Sequence, residues 1–171
     1  MIKIQNIEVD FTNIDITPYF QVKAENRIRF GLEVFEDHGT RLLQDILNDV
    51  FLESSSVSAS FITGYIYKNK RSSLKTGLGE IVKISNWKES LIEDPINERT
   101  IIFGTINNLQ PKHIFAYTKM IIQGHRQSYI IFYNDDVLIY VSSDVVDIIT
   151  DKNLITNLKS KYNKYYAQGF E

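Results

Sequence analysis

The sequence predicts one α+β domain over residues 1–171, a layered sandwich with helices packed on an antiparallel or mixed sheet. Three observations carry that expectation. Apolar and polar residues alternate through 27–35 and again through 57–67, the period of a strand with one buried face. Leu42, Leu43, Ile46, Leu47, Val50 and Phe51 recur at helical spacing. Asn134-Asp135-Asp136 separates two β-rich runs and has the chemistry of a hairpin turn.

Taken in order, the chain through Phe20 shows no clean period, and Pro18 bars a long helix there. In the first predicted strand Ile28, Phe30, Leu32 and Val34 share one face, with Arg27, Arg29 and Glu33 on the other. Glu36-Asp37-His38-Gly39 reads as a turn, and Thr40 as the cap of a helix that Ser54-Ser55-Ser56 ends. In the second strand Val57, Ala59, Phe61, Thr63, Tyr65 and Tyr67 alternate with Ser58, Ser60, Ile62, Gly64 and Ile66. Residues 68–80 read as a loop, basic at Lys68, Lys70, Arg71 and Lys75 and then broken by Gly77 and Gly79.

Residues 81–84 suit a short strand, and 86–93 one or two helical turns around Trp87 and Leu91, closed by Asp94-Pro95. The β-branched run 99–106 reads as a buried strand. Pro111 opens a helix that Gly124 stops. Runs 129–133 and 137–141 flank the hairpin turn. Ser143-Asp144 reads as the cap of a short helical segment. Asp151 starts a last helix, with Lys159, Lys161 and Lys164 in its final turns. The predicted core is Ile28, Phe30, Leu32, Leu43, Ile46, Leu47, Phe61, Ile102 and Ile131.

Composition narrows the classes. The 171 residues are 43% hydrophobic and 23% charged, which excludes intrinsic disorder. Cysteine is absent, which removes disulfide scaffolds, thiol catalysis and thiolate zinc sites together. A net charge of −2 gives no global field toward nucleic acid or anionic membrane, so no direct nucleic-acid or membrane partner is expected. Met1 to Asn6 lacks the basic-then-apolar pattern of a secretory leader, and no run reaches the ~18 apolar residues of a membrane helix. A cytoplasmic location is the expectation.

Catalytic chemistry is thin. His38 stands beside Glu33, Glu36 and Asp37, a grouping that suits acid–base work and equally suits a solvated loop. Neither His113 nor His125 has a second ligand at metal spacing, and Gly77-Leu78-Gly79 is an isolated G-x-G. No nucleophile elbow is present. Glu80-Ile81-Val82-Lys83 misses the Glu-x-Lys spacing of a nuclease by one residue. No cofactor, metal or catalytic residues are therefore assigned. Four cations across Lys68–Lys75 would hold a polyanion only weakly and with strong salt dependence.

Three stretches carry a family resemblance. Asn26-Arg27-Ile28-Arg29-Phe30-Gly31-Leu32-Glu33 is similar to the early R-F-E-L strand of a widespread bacterial family of unknown function. Tyr133-Asn134-Asp135-Asp136 followed by a strand resembles that family's Y-D-D-R-G hairpin, and Leu158 to Asn163 its closing L-x-x-x-Y-N. Gly31 replaces the family's Glu, and the Arg-Gly after the double Asp is missing, so the family's Asp-Arg pair is not carried over. The resemblance implies an α+β fold and a small accessory protein encoded beside toxin genes.

The expected function is a non-enzymatic protein-binding module, a cytoplasmic bacterial immunity protein that neutralises a cognate toxin domain. Toxins that act on nucleic acids have basic clefts, to which acidic loops are complementary. Glu33, Glu36, Asp37, Tyr133, Asp135 and Asp136 are the expected partner-binding residues. The alternatives are a small hydrolase using a carboxylate and His38, and a self-associating phage-type accessory protein.

Overall fold

One sheet with an apolar layer on each face organises the chain. The computed structural model describes residues 1–84 and 87–168. The chain begins with a small hairpin of β1 (Ile2–Ile4) and β2 (Ile7–Val9), then reaches β3 (Arg27–Gly31). Helices α1 (Glu33–His38) and α2 (Thr40–Val50) lead to the long strand β4 (Val57–Tyr67) and its hairpin partner β5 (Lys70–Ser73). Next come β6 (Lys88–Asp94), β7 (Arg99–Leu109) and α3 (Pro111–Ile122). The chain closes with β8 (Ile130–Tyr133), β9 (Leu138–Val141), β10 (Val145–Ile149) and α4 (Lys152–Lys161). The large sheet runs β3-β10-β9-β8-β4-β7-β6, with β5 beside β4 off that path, and every pairing is antiparallel. The α+β class holds.

All nine predicted core residues are buried; seven lie in the layer under the helices and Ile131 in the layer on the opposite face. The helices cover one face, where Phe30, Phe61, Ile106, Phe132 and Ile148 meet Leu43, Ile46, Ile114 and Ile155. The other face is covered by the N-terminal hairpin, where Ile4, Val9 and Phe11 pack on Ile62, Phe103, Ile131, Leu138 and Ile149. A sheet buried on both faces is why β8, β9 and β10 read as nearly continuous apolar runs.

Several local expectations are corrected. The predicted strand 27–35 ends at Gly31, and Glu33 to His38 form α1, not a turn. Gly39, at φ 77°, makes the break between the two helices, and Thr40 is the first residue of α2 and not its cap. Ser143-Asp144 caps no helix; the chain turns there and continues as β10 against both β3 and β9. Residues 70–73, inside the expected loop, pair with β4. Residues 81–84 form no strand. The expected helical turns at 86–93 are the strand β6, with Asn86 outside the described residues. Asp151 does cap the last helix, accepting the Leu154 N–H at 2.9 Å.

The interior of β4 breaks its own alternation. Register slips between Ile62 and Gly64, so Thr63 is an extra residue and the faces exchange beyond it. Phe61 faces the helices, whereas Tyr65 joins Ile62 on the opposite layer. Gly64 allows this, because a Cβ there would lie 2.0 Å from the Ser72 carbonyl oxygen of β5. Gly64→Ala is expected to push β5 off β4 at a cost of about 1–3 kcal/mol, as an overpacked site does. Equilibrium denaturation together with amide exchange across 70–74 measures it; unchanged exchange there would refute the close approach.

Candidate functional site

The two edges of the large sheet differ. At the β3 edge the chain returns after α4, Tyr166 bridges Phe30, and Ala167 donates its N–H to the Arg29 carbonyl at 2.8 Å. That edge is closed. At the other edge, among the described residues, β6 pairs only with β7, so the outward backbone donors and acceptors of this seven-residue strand are unpaired there. Around it stand exposed apolar side chains: Trp87, Leu91 at 58% and Ile96 at 81%.

Local chemistry explains why this charged segment is a strand. Asp94 closes the β6–β7 turn by accepting from the Asn97 amide and the Arg99 guanidinium, each at 2.9 Å. The Asn97 hydrogen bond first, and Arg99 second, hold its carboxyl below the usual carboxylate range. Thr100 donates to Glu93 across the pair, and Arg71 of β5 forms an ion pair with Glu89. Arg99 in turn lies 4.1 Å from the centre of the Tyr65 ring. Charges along an open edge protect against indiscriminate pairing and leave recognition to the apolar side chains between them.

The expected partner-binding residues do not form one patch. Tyr133 pairs with Leu138, Leu138 with Ile149 and Ile149 with Arg27, so the Asp135–Asp136 turn lies at the Arg27 end of these strands. Glu33, Glu36 and Asp37 follow Gly31, at the opposite end. The acidic patch expected to unite the two groups is thus two separate sites. Tyr133 and Asp135 do meet in a shallow cleft of about 390 Å³ with Lys3 and Ser58. The Tyr133 hydroxyl lies 3.0 Å from that of Ser60. Asn134 shapes the turn by accepting the Asp136 and Val137 N–H groups, and both acidic side chains are exposed.

Among the described residues no hydrogen bond or ion pair joins His38 to Glu33, Glu36 or Asp37. The Glu33 carboxylate folds back over Gly31, where a Cβ would meet it at 2.2 Å. The His38 ring instead packs edge-on against Tyr165, with centroids 4.9 Å apart. Among the described residues no three His, Asp or Glu side chains converge as a metal site would require. No described helix is long and apolar enough to cross a membrane.

The β6 edge escaped sequence reasoning, and a signal for it existed. Lys88–Asp94 and the run from Arg99 are separated by Pro95-Ile96-Asn97-Glu98, two strands joined by four turn-forming residues. No known protein family, curated protein or solved structure matches this chain.

Proposed function

We propose that this protein is a non-catalytic protein-binding module that takes an extended segment of a partner polypeptide onto the open edge of β6, acting as an immunity protein against a toxin domain. One observation carries the reading: the sheet is closed by its own C-terminal segment at β3 and left open at β6, beside exposed Trp87, Leu91 and Ile96. An exposed ladder selects a strand as its partner, with backbone hydrogen bonds giving affinity and flanking side chains specificity. Glu89 and Asp94 are already held by Arg71 and Arg99, so the backbone ladder and the apolar Trp87, Leu91 and Ile96, and not net charge, would select the segment. The exposed Asp135–Asp136 turn fits the reading as a source of steering charge.

The test is co-expression with the polypeptides encoded on either side of the gene, followed by binding measurements on the pair that associates. Leu91→Arg is expected to keep the fold, its side chain being exposed, and to weaken partner binding by about tenfold or more, the scale on which interface anchors act. Lysine at both Asp135 and Asp136 is expected to shift stability by less than about 0.5 kcal/mol. It should slow association, and the slowing should shrink as salt shortens the Debye length. Equal affinity of the Leu91→Arg variant would overturn the docking edge. A dimer of this chain in solution that Leu91→Arg dissolves would overturn it in favour of self-association.

A further inference from the structure

A second site lies on the other side of β4 and is independent of the β6 edge. Along that side β4 pairs first with β8, at 58–61, and then with β5, at 64–67. The two neighbours part at the bulge, where Ile62 donates its N–H to the Tyr129 carbonyl and Thr63 accepts the Leu74 N–H. The fork opens a cleft of about 610 Å³, within the ~300–1,000 Å³ range of small-molecule sites. Ile62, Tyr65 and Tyr129 give it an apolar and aromatic wall. Lys75, two residues beyond β5, and His125-Arg126 from the turn after α3 bring positive charge and a ring donor to the same space.

Among the described residues neither cleft cation, Lys75 or Arg126, has a carboxylate partner. Both line one cleft of a protein of net charge −2. Among the described residues Glu80 is the one carboxylate on the cleft wall. The aromatic wall is held in place before any ligand arrives. Phe11 stacks on Tyr129 at 4.5 Å, the Tyr129 hydroxyl donates to the Phe11 carbonyl, and Arg99 packs on Tyr65. Side chains fixed in advance lose little freedom on binding.

The geometry points to this cleft as a binding site for a small phosphate-bearing molecule with a planar ring, the phosphate held by Lys75 and Arg126 and the ring against Tyr65 and Tyr129. Arginine offers a planar fork to phosphate and lysine a mobile point charge, so together they suit a dianion. The bulge at Thr63 is what makes the site, since it turns Tyr65 toward the layer that carries Ile62 and Tyr129.

The test titrates the full chain with adenosine 5′-monophosphate, adenosine and inorganic phosphate, followed by calorimetry and by amide shifts around 74–77 and 125–129. The monophosphate should bind saturably with Kd below about 1 mM and weaken steeply with added salt. Lys75→Ala and Arg126→Ala, both at exposed positions, should each weaken it by about tenfold, whereas Lys112→Ala, a cation outside the cleft, should change nothing. Glu80→Gln should tighten binding. Tyr65→Ala should weaken the monophosphate and leave inorganic phosphate unchanged. Adenosine binding as tightly as its monophosphate, an Arg126→Ala variant that binds normally, or the lack of saturable binding up to millimolar ligand would each overturn the assignment.

Discussion

Phe30→Ala is expected to cost about 3–5 kcal/mol, the range for removing a fully buried aromatic ring. Phe30 is completely buried in β3, with its ring 6.1 Å from those of both Phe35 in α1 and Tyr162 at the end of α4. Its backbone also bridges Tyr166, so side chain and main chain together hold the returning C-terminal segment on the sheet edge. Alanine leaves a cavity where three elements meet, and neither a short helix nor an edge strand can move inward without losing its own contacts. Local opening should follow, because the segment that closes this edge depends on the ring beneath it. Urea denaturation reads the loss of stability, and amide exchange at Ala167 reads the loosening of the edge. A loss below about 1 kcal/mol would mean that the ring does not fill the space between α1 and α4.

Phe30 shows how much of the fold was legible locally. Wherever burial follows one period, as in 57–61 or along the apolar stripe of α2, the sequence assigns both the element and its inner face. Legibility stops where one residue changes the period. Gly31 ends β3, and the chain enters a helix while the apolar spacing of Leu32 and Val34 still imitates a strand. The bulge at Thr63 reverses the faces of β4 with no change in composition, marked only by Gly64. β6 hides for a different reason: an edge strand carries the charges that protect it, and those charges imitate an exposed helical turn.

The sites were less legible than the fold because each depends on elements distant in sequence. Lys75 and Arg126 line one cleft only because β5 and β8 share one side of β4. The two acidic turns, by contrast, looked like one surface, since nothing in the sequence records that β3 and the β8–β9 hairpin point to opposite ends of the sheet. Tyr65, Tyr129, Tyr133 and Tyr140 are half-buried, because the N-terminal hairpin covers a face that a strand pattern alone assigns to solvent.

Arg29→Met is expected to destabilise the protein by about 3–5 kcal/mol at neutral pH, the scale for stripping a buried charge of its partner. Arg29 reads from sequence as a solvent-facing residue, yet it makes two hydrogen bonds to Asp147, at 2.7 and 2.8 Å, beneath the Tyr19 ring. The Asp147 side chain has no solvent exposure. Burial pushes its carboxyl up, and the Arg29 guanidinium opposes that shift. The hydrogen bond to Asp147, outweighing burial, raises the arginine and keeps it charged. With methionine at 29 the hydrogen-bonded cation is gone and only the weaker pull of Arg27 still opposes burial, so the carboxyl of the folded variant rises further above its unfolded value of about 3.9. The sign follows from linkage: a carboxyl raised in the folded state favours folding in acid, and that benefit disappears as pH climbs through its folded value. The stability gap between wild type and variant should therefore narrow as the pH falls from 7 toward about 4. Adding Asp147→Leu should restore most of the loss at neutral pH, because an apolar pair in such a site is often as stable as the ion pair it replaces. Denaturation of the two variants across that pH range checks all three statements. A gap that stays constant with pH would show that Asp147 is not the group left stranded.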